Sequence, residues 1–158
     1  MTSGREYIFV HQIDKRTPLD THIPLHMTAL HWFEAEVEPG EMIRMTQFFA
    51  KKQESLSTRA SKEGLFGQNK DIPVMRLERT AELLDLHIAL LGLASSCGAR
   101  LDERWVGESN WNPHVTHQPE ARLYAGDEVM VDSLDLITRR HDGVREMLAR
   151  VGLGGGGV

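Results

Sequence analysis

Two short segments of the chain each place a histidine two residues before a threonine, with an apolar residue between them. They read "HMT" at residues 26–28 and "HVT" at residues 114–116. In a β-strand, side chains i and i+2 project from the same face, so each segment would present an imidazole beside a hydroxyl. An imidazole exchanges protons near neutral pH, and a hydroxyl can donate a hydrogen bond to a phosphate oxygen. Two such pairs facing each other predict acid–base chemistry on a phosphodiester.

The four side chains of these motifs suggest a division of roles. One histidine would remove a proton from water or a ribose hydroxyl, and the other would protonate the departing oxygen. The two threonines would hold the non-bridging oxygens as negative charge develops. This chemistry calls for no metal ion and no cofactor. Which histidine acts as the base stays open at the level of sequence.

Two other interpretations of the histidines remain open. Both could be ordinary strand residues with satisfied hydrogen bonds. They could also bind a metal, with candidate ligands His22, His26 and His31 in one group and His114 and His117 in the other. Spacings of four, five and three residues do not fit a ligand set on one face of a strand, and no acidic ligand sits close by. By the same parity, His31 and His117 should point away from the face of the two motifs.

The motifs and their surroundings resemble the 2H phosphoesterase superfamily, which includes the 2′-5′ RNA ligase-like proteins and the RNA-end cyclic phosphodiesterases. The resemblance rests on "HMTA" at 26–29, "WNPHVT" at 111–116 with His117 after it, and "GLFGQNKDIPVMRLE" at 64–78. It spans most of the chain, because both the order of elements and the separation of the motifs match.

This resemblance implies an α+β fold with two pseudo-symmetric lobes of antiparallel strands and outer helices around a central groove. Each floor strand would carry one motif. On that pattern His26 and His114 are the catalytic histidines, and Thr28 and Thr116 are the phosphate ligands. The RNA ligase-like branch often has a leucine and then a basic residue soon after the second threonine. Here His117 and Gln118 follow, with Arg122 further on, so the similarity supports the superfamily rather than one branch.

Aromatic and basic residues near the motifs are candidates for substrate contacts. Stacking of a base on an aromatic ring contributes about 1 to 3 kcal/mol. Trp111, three residues before the second motif, is the first choice for a groove wall, and Trp105, Tyr124 and Phe66 are further candidates. Packing in the core is the alternative for each of them. Two cations, Arg76 and Arg122, could meet phosphate.

The surrounding pattern predicts strand groups that alternate with two helices. Apolar spacing predicts a helix over residues 41–56, and a leucine-rich helix that Thr80 caps and Gly98 ends. Residues 142–153 are predicted to form a short helix or turn. The predicted strands are residues 7–13, 24–33, 64–69, 71–78, 113–118 and 127–140.

Composition narrows the class of protein and of ligand. The length of 158 residues and the hydrophobic content of 41% predict one bilobal domain over residues 1–150. The glycine-rich residues 151–158 are predicted to form a flexible tail. The net charge of -5 argues against long duplex DNA as a ligand. A single cysteine, Cys97, excludes an intramolecular disulfide and a zinc ribbon. No segment has the length of a membrane span, so we expect a cytoplasmic protein.

Together these observations predict a metal-independent phosphodiesterase that acts at ribose 2′ or 3′ oxygens. Its substrate would be a small RNA-like molecule: a 2′,3′-cyclic phosphate end, a 2′-5′ linkage or a cyclic oligonucleotide messenger. A non-hydrolytic sponge or sensor for a nucleotide and an RNA 2′-5′ ligase are the alternatives.

Overall fold

The computed structural model describes residues 4–13, 23–140 and 142–154. In this part of the chain no helix is long and apolar enough to cross a membrane. Its strands are β1 (Arg5–Gln12), β2 (His26–Ala35), β3 (Leu56–Phe66), β4 (Ile72–Leu77), β5 (Arg100–Leu101), β6 (His114–Thr116), β7 (Glu128–Val131), β8 (Ser133–Arg139) and β9 (Arg145–Gly152). The helices are α1 (Pro39–Ala50) and α2 (Ala81–Ser96), and a short 3₁₀ turn covers Glu103–Trp105.

The strands form one antiparallel sheet whose two halves have equivalent strand arrangements. The order is β7-β3-β4-β6-β2-β1-β8-β9, and β5 adds to β2. The central strands β6 and β2 carry the two His-x-Thr motifs, and three further strands lie outside each of them. α2 packs against β2 and β3, and α1 packs against β9. The predicted α+β fold with two pseudo-symmetric lobes is confirmed.

Alternation along β1 shows how the sheet buries both of its faces. Tyr7 and Phe9 point into the main core below the helices, while Ile8 and Val10 belong to a smaller apolar cluster on the opposite face. All four are almost fully buried. The period of two predicted for a strand is therefore present, with apolar side chains on each face.

Helix α2 follows the sequence prediction closely. The Thr80 side chain accepts a hydrogen bond of 3.1 Å from the backbone N–H of Leu83, which satisfies one of the open donors of the first turn. Cys97 follows the last helical residue, and Gly98 adopts a φ of 70°, a conformation that favours glycine. The leucine face of the helix buries Leu83, Leu86 and other residues in the main core.

The first helix is shorter than predicted. α1 ends at Ala50, whereas the apolar spacing extended it to residue 56. Leu56 instead begins β3 and pairs with Val131 of β7. Its apolar side chain fits the helical spacing by coincidence, because pairing with a distant strand determines its conformation.

The C-terminal prediction is wrong in two respects. Residues 145–152 form strand β9, which pairs with β8 along its length, rather than a helix or turn. Val151 and Leu153 are buried, so the segment predicted to be a tail contributes to the core at its start. The last predicted tail residues, 155–158, lie outside the described residues. The apolar residues that bury here alternate with Arg150 and Gly152, a strand period over too short a segment to identify from sequence.

The segment predicted as one strand over residues 127–140 forms two. β7 pairs with β3 in one half of the sheet, and β8 pairs with β1 in the other half. Asp132 lies between them. The chain therefore passes from one lobe to the other within a single residue, which links the two halves beside the core.

Candidate active site

The register of β2 and β6 brings the two His-x-Thr motifs together. Met27 and Val115, the middle residues of the motifs, are partners across the two antiparallel strands, and both are fully buried. The histidines and threonines therefore point to the other side, which we call the motif face. Antiparallel pairing about this centre sets each histidine opposite the threonine of the other motif. The four side chains are thus related by an approximate two-fold axis.

The two histidines make equivalent hydrogen bonds with the backbone. His26 Nδ1 lies 2.7 Å from the Pro24 carbonyl oxygen, and His114 Nδ1 lies 2.8 Å from the Asn112 carbonyl oxygen. A carbonyl oxygen only accepts, so Nδ1 carries the proton and donates in both bonds. Each imidazole is held with Nε2 as the nitrogen that remains for a substrate. This arrangement suits proton transfer, because the orientation and the tautomer are set before the substrate arrives.

Burial and neighbouring positive charge favour the neutral form of both imidazoles. Burial lowers the pKa of His26, and the nearby His114 lowers it further. Burial also lowers the pKa of His114, with added repulsion from Arg76 and His31. His26 thus has one titratable neighbour that acts against its protonation, whereas His114 has a permanent cation as well.

The hydroxyls of Thr28 and Thr116 are available on the motif face. Each threonine is half-buried, and neither hydroxyl makes a hydrogen bond with any residue that the structure describes. Their partners on the outer strands are Val10 and Val74, which offer no polar group. Neither valine has an acceptor that would compete with a phosphate oxygen for the threonine hydroxyls.

Phe66 and Arg76, two of the residues predicted to contact substrate, lie near His114. The Phe66 ring centroid is 4.2 Å from that of His114. Arg76 is the partner of His114 across β4 and β6, and its guanidinium carbon lies 4.8 Å from the centre of the Phe66 ring. Both β3 and β6 pair with β4, which brings these distant parts of the chain together.

The expectation that Trp111 forms a groove wall is wrong. Its side chain is only 4% exposed, and its indole stacks on the imidazole of His87 inside the core. Arg79 donates a hydrogen bond to the Trp111 carbonyl oxygen, which fixes the segment before the second motif. A ring with both faces in the core presents no surface to a base.

Tyr124 and Arg122 lie together, but their contacts are not with the motifs. The Arg122 guanidinium carbon lies 4.4 Å from the centre of the exposed Tyr124 ring, and Arg122 forms an ion pair with Glu63. Glu63 is the partner of Met75, a buried residue on the core side of β4. These contacts direct Arg122 toward the face of the sheet opposite the motifs.

His31 lies on the motif face, contrary to the parity prediction. The register changes between Thr28 and Leu30, where β2 contains an extra residue relative to β1. Ala29 and Leu30 are consequently both buried, and His31 is exposed. Its ring centroid is 6.2 Å from that of Trp105. The β-bulge thus turns His31 away from the core, and a second register shift between Leu30 and Phe33 restores the original parity, so that Phe33 and Ala35 face the main core again.

His117 follows the parity prediction and lies on the face of the sheet opposite the motifs. The hydrogen bond and the charge of Arg122 chiefly lower the pKa of the Glu63 carboxyl group, and the nearby His117 adds a smaller effect in the same direction. In the described residues, no three histidine, cysteine or acidic side chains are grouped so that they could hold a metal ion. His22, one of the ligands considered from sequence, lies outside those residues.

A buried polar network beside His26 was not recognised in the sequence. Gln12 is the partner of His26 across β1 and β2, and its amide nitrogen donates a hydrogen bond of 2.6 Å to Asp135. Asp135 is fully buried and accepts two hydrogen bonds, of 2.6 and 3.0 Å, from Arg150. The corresponding neighbour of the other histidine is Arg76. The two motifs are alike, but their surroundings are not.

A cavity of about 870 Å³ lies at the end of β1, β8 and β9, and none of the four motif side chains lines it. Its charged side chains pair within the molecule, as Glu6 does with Arg139 and Arg140 with Asp142.

The fold is similar to that of several proteins of known structure. It resembles a protein described as a phosphoesterase, with a TM-score of 0.62 and 16% identity over 96% of this chain and 99% of that one. It is similar to TT0787 of Thermus thermophilus, with a TM-score of 0.60, 18% identity and coverage of 95% and 98%. A third similar structure is E. coli LigT with 3′-AMP, at a TM-score of 0.62, 15% identity and coverage of 95% and 98%. No curated protein sequence matches the chain.

The sequence itself defines the family. Residues 5–143, which are most of the chain, match the profile of the 2′-5′ RNA ligase superfamily. The protein belongs to this superfamily of 2H phosphoesterases.

Proposed function

We propose that the protein is a metal-independent phosphodiesterase that acts on ribose 2′ or 3′ phosphodiester bonds of a small nucleotide. The observation that carries this proposal is the two-fold arrangement of the His-x-Thr motifs, with each histidine opposite the other motif's threonine. Both imidazoles have Nδ1 bonded to a backbone carbonyl, so the two Nε2 atoms can serve one phosphate from either side.

The charges around the histidines favour His114 as the base. A base must begin neutral, and Arg76 and His31 both disfavour a proton on His114. In hydrolysis of a cyclic phosphate, His114 Nε2 takes a proton from water as the water oxygen bonds to phosphorus. His26 Nε2 gives its proton to the ribose oxygen as the phosphorus–oxygen bond breaks. His114 then releases a proton to solvent and His26 takes one up, which restores the starting state.

Small nucleotides suit this site better than a long polyanion. The net charge of -5 gives no general attraction for nucleic acid. E. coli LigT, which shares the fold, has been crystallised with 3′-AMP, NADP⁺ and ATP. A nucleoside or short oligonucleotide with a 2′,3′-cyclic phosphate, a 2′-5′ linkage or a cyclic oligonucleotide is therefore the substrate class that we propose.

The decisive experiment is an assay in excess EDTA of the wild type and the double variant His26→Ala, His114→Ala. The panel contains nucleoside 2′,3′-cyclic phosphates, an oligoribonucleotide with a cyclic phosphate end, 2′-5′ oligoadenylate and cyclic di- and trinucleotides. Turnover by the wild type alone would support the proposal, and the preferred compound would identify the substrate class. Saturable binding with every ligand recovered unchanged would replace it with a sponge or sensor. Joining of RNA ends without hydrolysis would replace it with a ligase.

A further inference from the structure

In the described part of the chain, two arginines near the motifs pair with carboxylates and Arg76 does not. Arg122 pairs with Glu63 and Arg150 with Asp135. Arg76 is half-buried and forms no ion pair with any carboxylate in the described residues. Its side chain lies on the motif face, where its cross-strand partner on β6 is His114. A half-buried cation without a counterion is suited to receive an anion from solution.

Gly64 and Phe66 hold the Arg76 side chain in place. A Cβ atom at Gly64 would lie 2.7 Å from Arg76 Nε, so the guanidinium crosses β3 where that strand has no side chain. The Phe66 ring lies 4.8 Å from the guanidinium carbon and 4.2 Å from the centroid of the His114 ring. One aromatic ring therefore supports both the cation and the imidazole, which reduces the freedom that the arginine would lose on binding.

In the proposed reaction the motif residues offset only one of the two negative charges on the phosphate. A phosphodiester carries one negative charge, and a second develops on its oxygens as a nucleophile adds. One protonated histidine supplies one positive charge, and the threonine hydroxyls supply dipoles without net charge. A second fixed positive charge beside the non-bridging oxygens would offset the remainder. Arginine suits this role because its planar fork can bond two oxygens of one phosphate.

We propose that Arg76, positioned by Gly64 and Phe66, binds the non-bridging phosphate oxygens next to His114 and stabilises the charge that develops there. This inference rests on the proposed function and adds to it a fifth residue in direct contact with the reacting phosphate. It also accounts for an asymmetry of the site: the cation lies beside one histidine, while an uncharged amide, Gln12, lies beside the other.

The test compares kcat and KM of Arg76→Ala, Arg76→Lys and Gly64→Ala with those of the wild type on a nucleoside 2′,3′-cyclic phosphate. Arg76→Ala should lower kcat/KM by about 100-fold or more, the loss typical of one donor to a developing oxyanion. Arg76→Lys should recover part of that loss, since it keeps the charge without the fork. Gly64→Ala should displace the guanidinium and lower kcat by up to about 100-fold. Arg44→Ala on α1, where Arg44 pairs with Glu41, is the matched control and should leave activity unchanged.

A binding measurement separates this inference from the proposed function. Titration with inorganic phosphate, followed by the NMR signals of the histidine rings, should show weaker binding by Arg76→Ala than by the wild type or Arg44→Ala. A wild type that turns over no compound would overturn the proposed function and leave this titration to decide the role of Arg76. Turnover and phosphate affinity unchanged in Arg76→Ala would overturn the role of Arg76 alone. If Arg76→Ala does not fold, Arg76→Lys and Gly64→Ala decide by the same criteria.

Discussion

The imidazole of His87 and the indole of Trp111 stack inside the core, with ring centroids 4.3 Å apart and an angle of 1° between their planes. His87 Nδ1 donates to the Ala29 carbonyl oxygen at 2.8 Å, and Nε2 accepts from the Gly107 N–H at 2.9 Å. A histidine that donates through one nitrogen and accepts through the other is neutral. His87 thus connects α2 both to the strand of the first motif and to the segment before the second.

Replacement of His87 by phenylalanine should lower the free energy of unfolding, although it keeps a ring against Trp111. The Ala29 carbonyl and the Gly107 N–H would lose their partners, at a cost of about 1 to 3 kcal/mol each. Urea denaturation at pH 7.5 would measure the loss. A variant as stable as the wild type would show that the two hydrogen bonds contribute nothing.

The same variant should change how stability depends on pH. Burial lowers the pKa of His87 below its ordinary value of 6.5, so the unfolded chain binds a proton there that the folded protein does not. Wild-type stability should therefore fall as the pH decreases below about 6.5, and His87→Phe should show a shallower fall. Denaturation at pH 7.5 and 5.5 gives the change of stability with pH for the wild type and for His87→Phe. The other histidines contribute equally in the two proteins. Parallel slopes would contradict a neutral, buried His87.

Catalysis should depend on pH with a maximum on the acid side of neutrality. The pKa values of both motif histidines are lowered from 6.5, chiefly by burial. The base must be neutral and the acid protonated, so kcat/KM should be bell-shaped, with both limbs set by pKa values below 6.5. Removal of the cation in Arg76→Ala should raise the pKa of His114 and move its limb toward neutral pH. A profile that is flat between about pH 5 and 9 would argue strongly against paired histidine catalysis.

Single substitutions in the motifs should separate proton transfer from charge stabilisation. His26→Ala or His114→Ala should lower kcat by about 100- to 10,000-fold, because each removes one proton-transfer group. Thr28→Ala or Thr116→Ala should cost about 100-fold, through the loss of one hydrogen-bond donor. His117→Ala, a histidine change on the opposite side of the sheet, is the control. Near wild-type rates for either motif histidine variant would refute its assignment.

Asp135 and Arg150 form an ion pair, and removal of Arg150 should destabilise the protein more than removal of Asp135. Arg150→Ala leaves a fully buried carboxylate with Gln12 as its remaining bonded partner, at a cost of about 3 to 5 kcal/mol. In Asp135→Ala the remaining Arg150 side chain is 30% exposed and can be hydrated, so the loss should be smaller. Chemical denaturation of both variants tests this order. A larger loss for Asp135→Ala would mean that the carboxylate's hydrogen bonds outweigh the burial of its charge.

Local sequence patterns were sufficient wherever one period or one cap controls the structure. The alternation around Met27 and Val115 correctly places the motif histidines and threonines on one face. Thr80 and Gly98 correctly bound α2, because caps act within a single turn. These features depend on residues within a few positions of one another. The family resemblance then supplied the arrangement of these elements as two lobes around a groove.

Long-range pairing produced the features that the sequence pattern misjudged. One extra residue between Thr28 and Leu30 turns His31 onto the motif face, and a bulge of this kind has no distinct apolar pattern. Trp111 looked like a groove wall from its place before the second motif, yet the position of His87 on α2 draws it into the core. In both cases the facing of a side chain depends on a partner far away in the chain.

The amino-acid sequence thus specifies the chemical groups of the site and the strands that present them, since residue type and a two-residue period are local properties. Folding in three dimensions selects the groups that surround them. Arg76 and Phe66 reach His114 because β3 and β6 both pair with β4, and Asp135 reaches Gln12 because β8 pairs with β1. No local spacing encodes these contacts, because each depends on the register between strands that are distant in the chain.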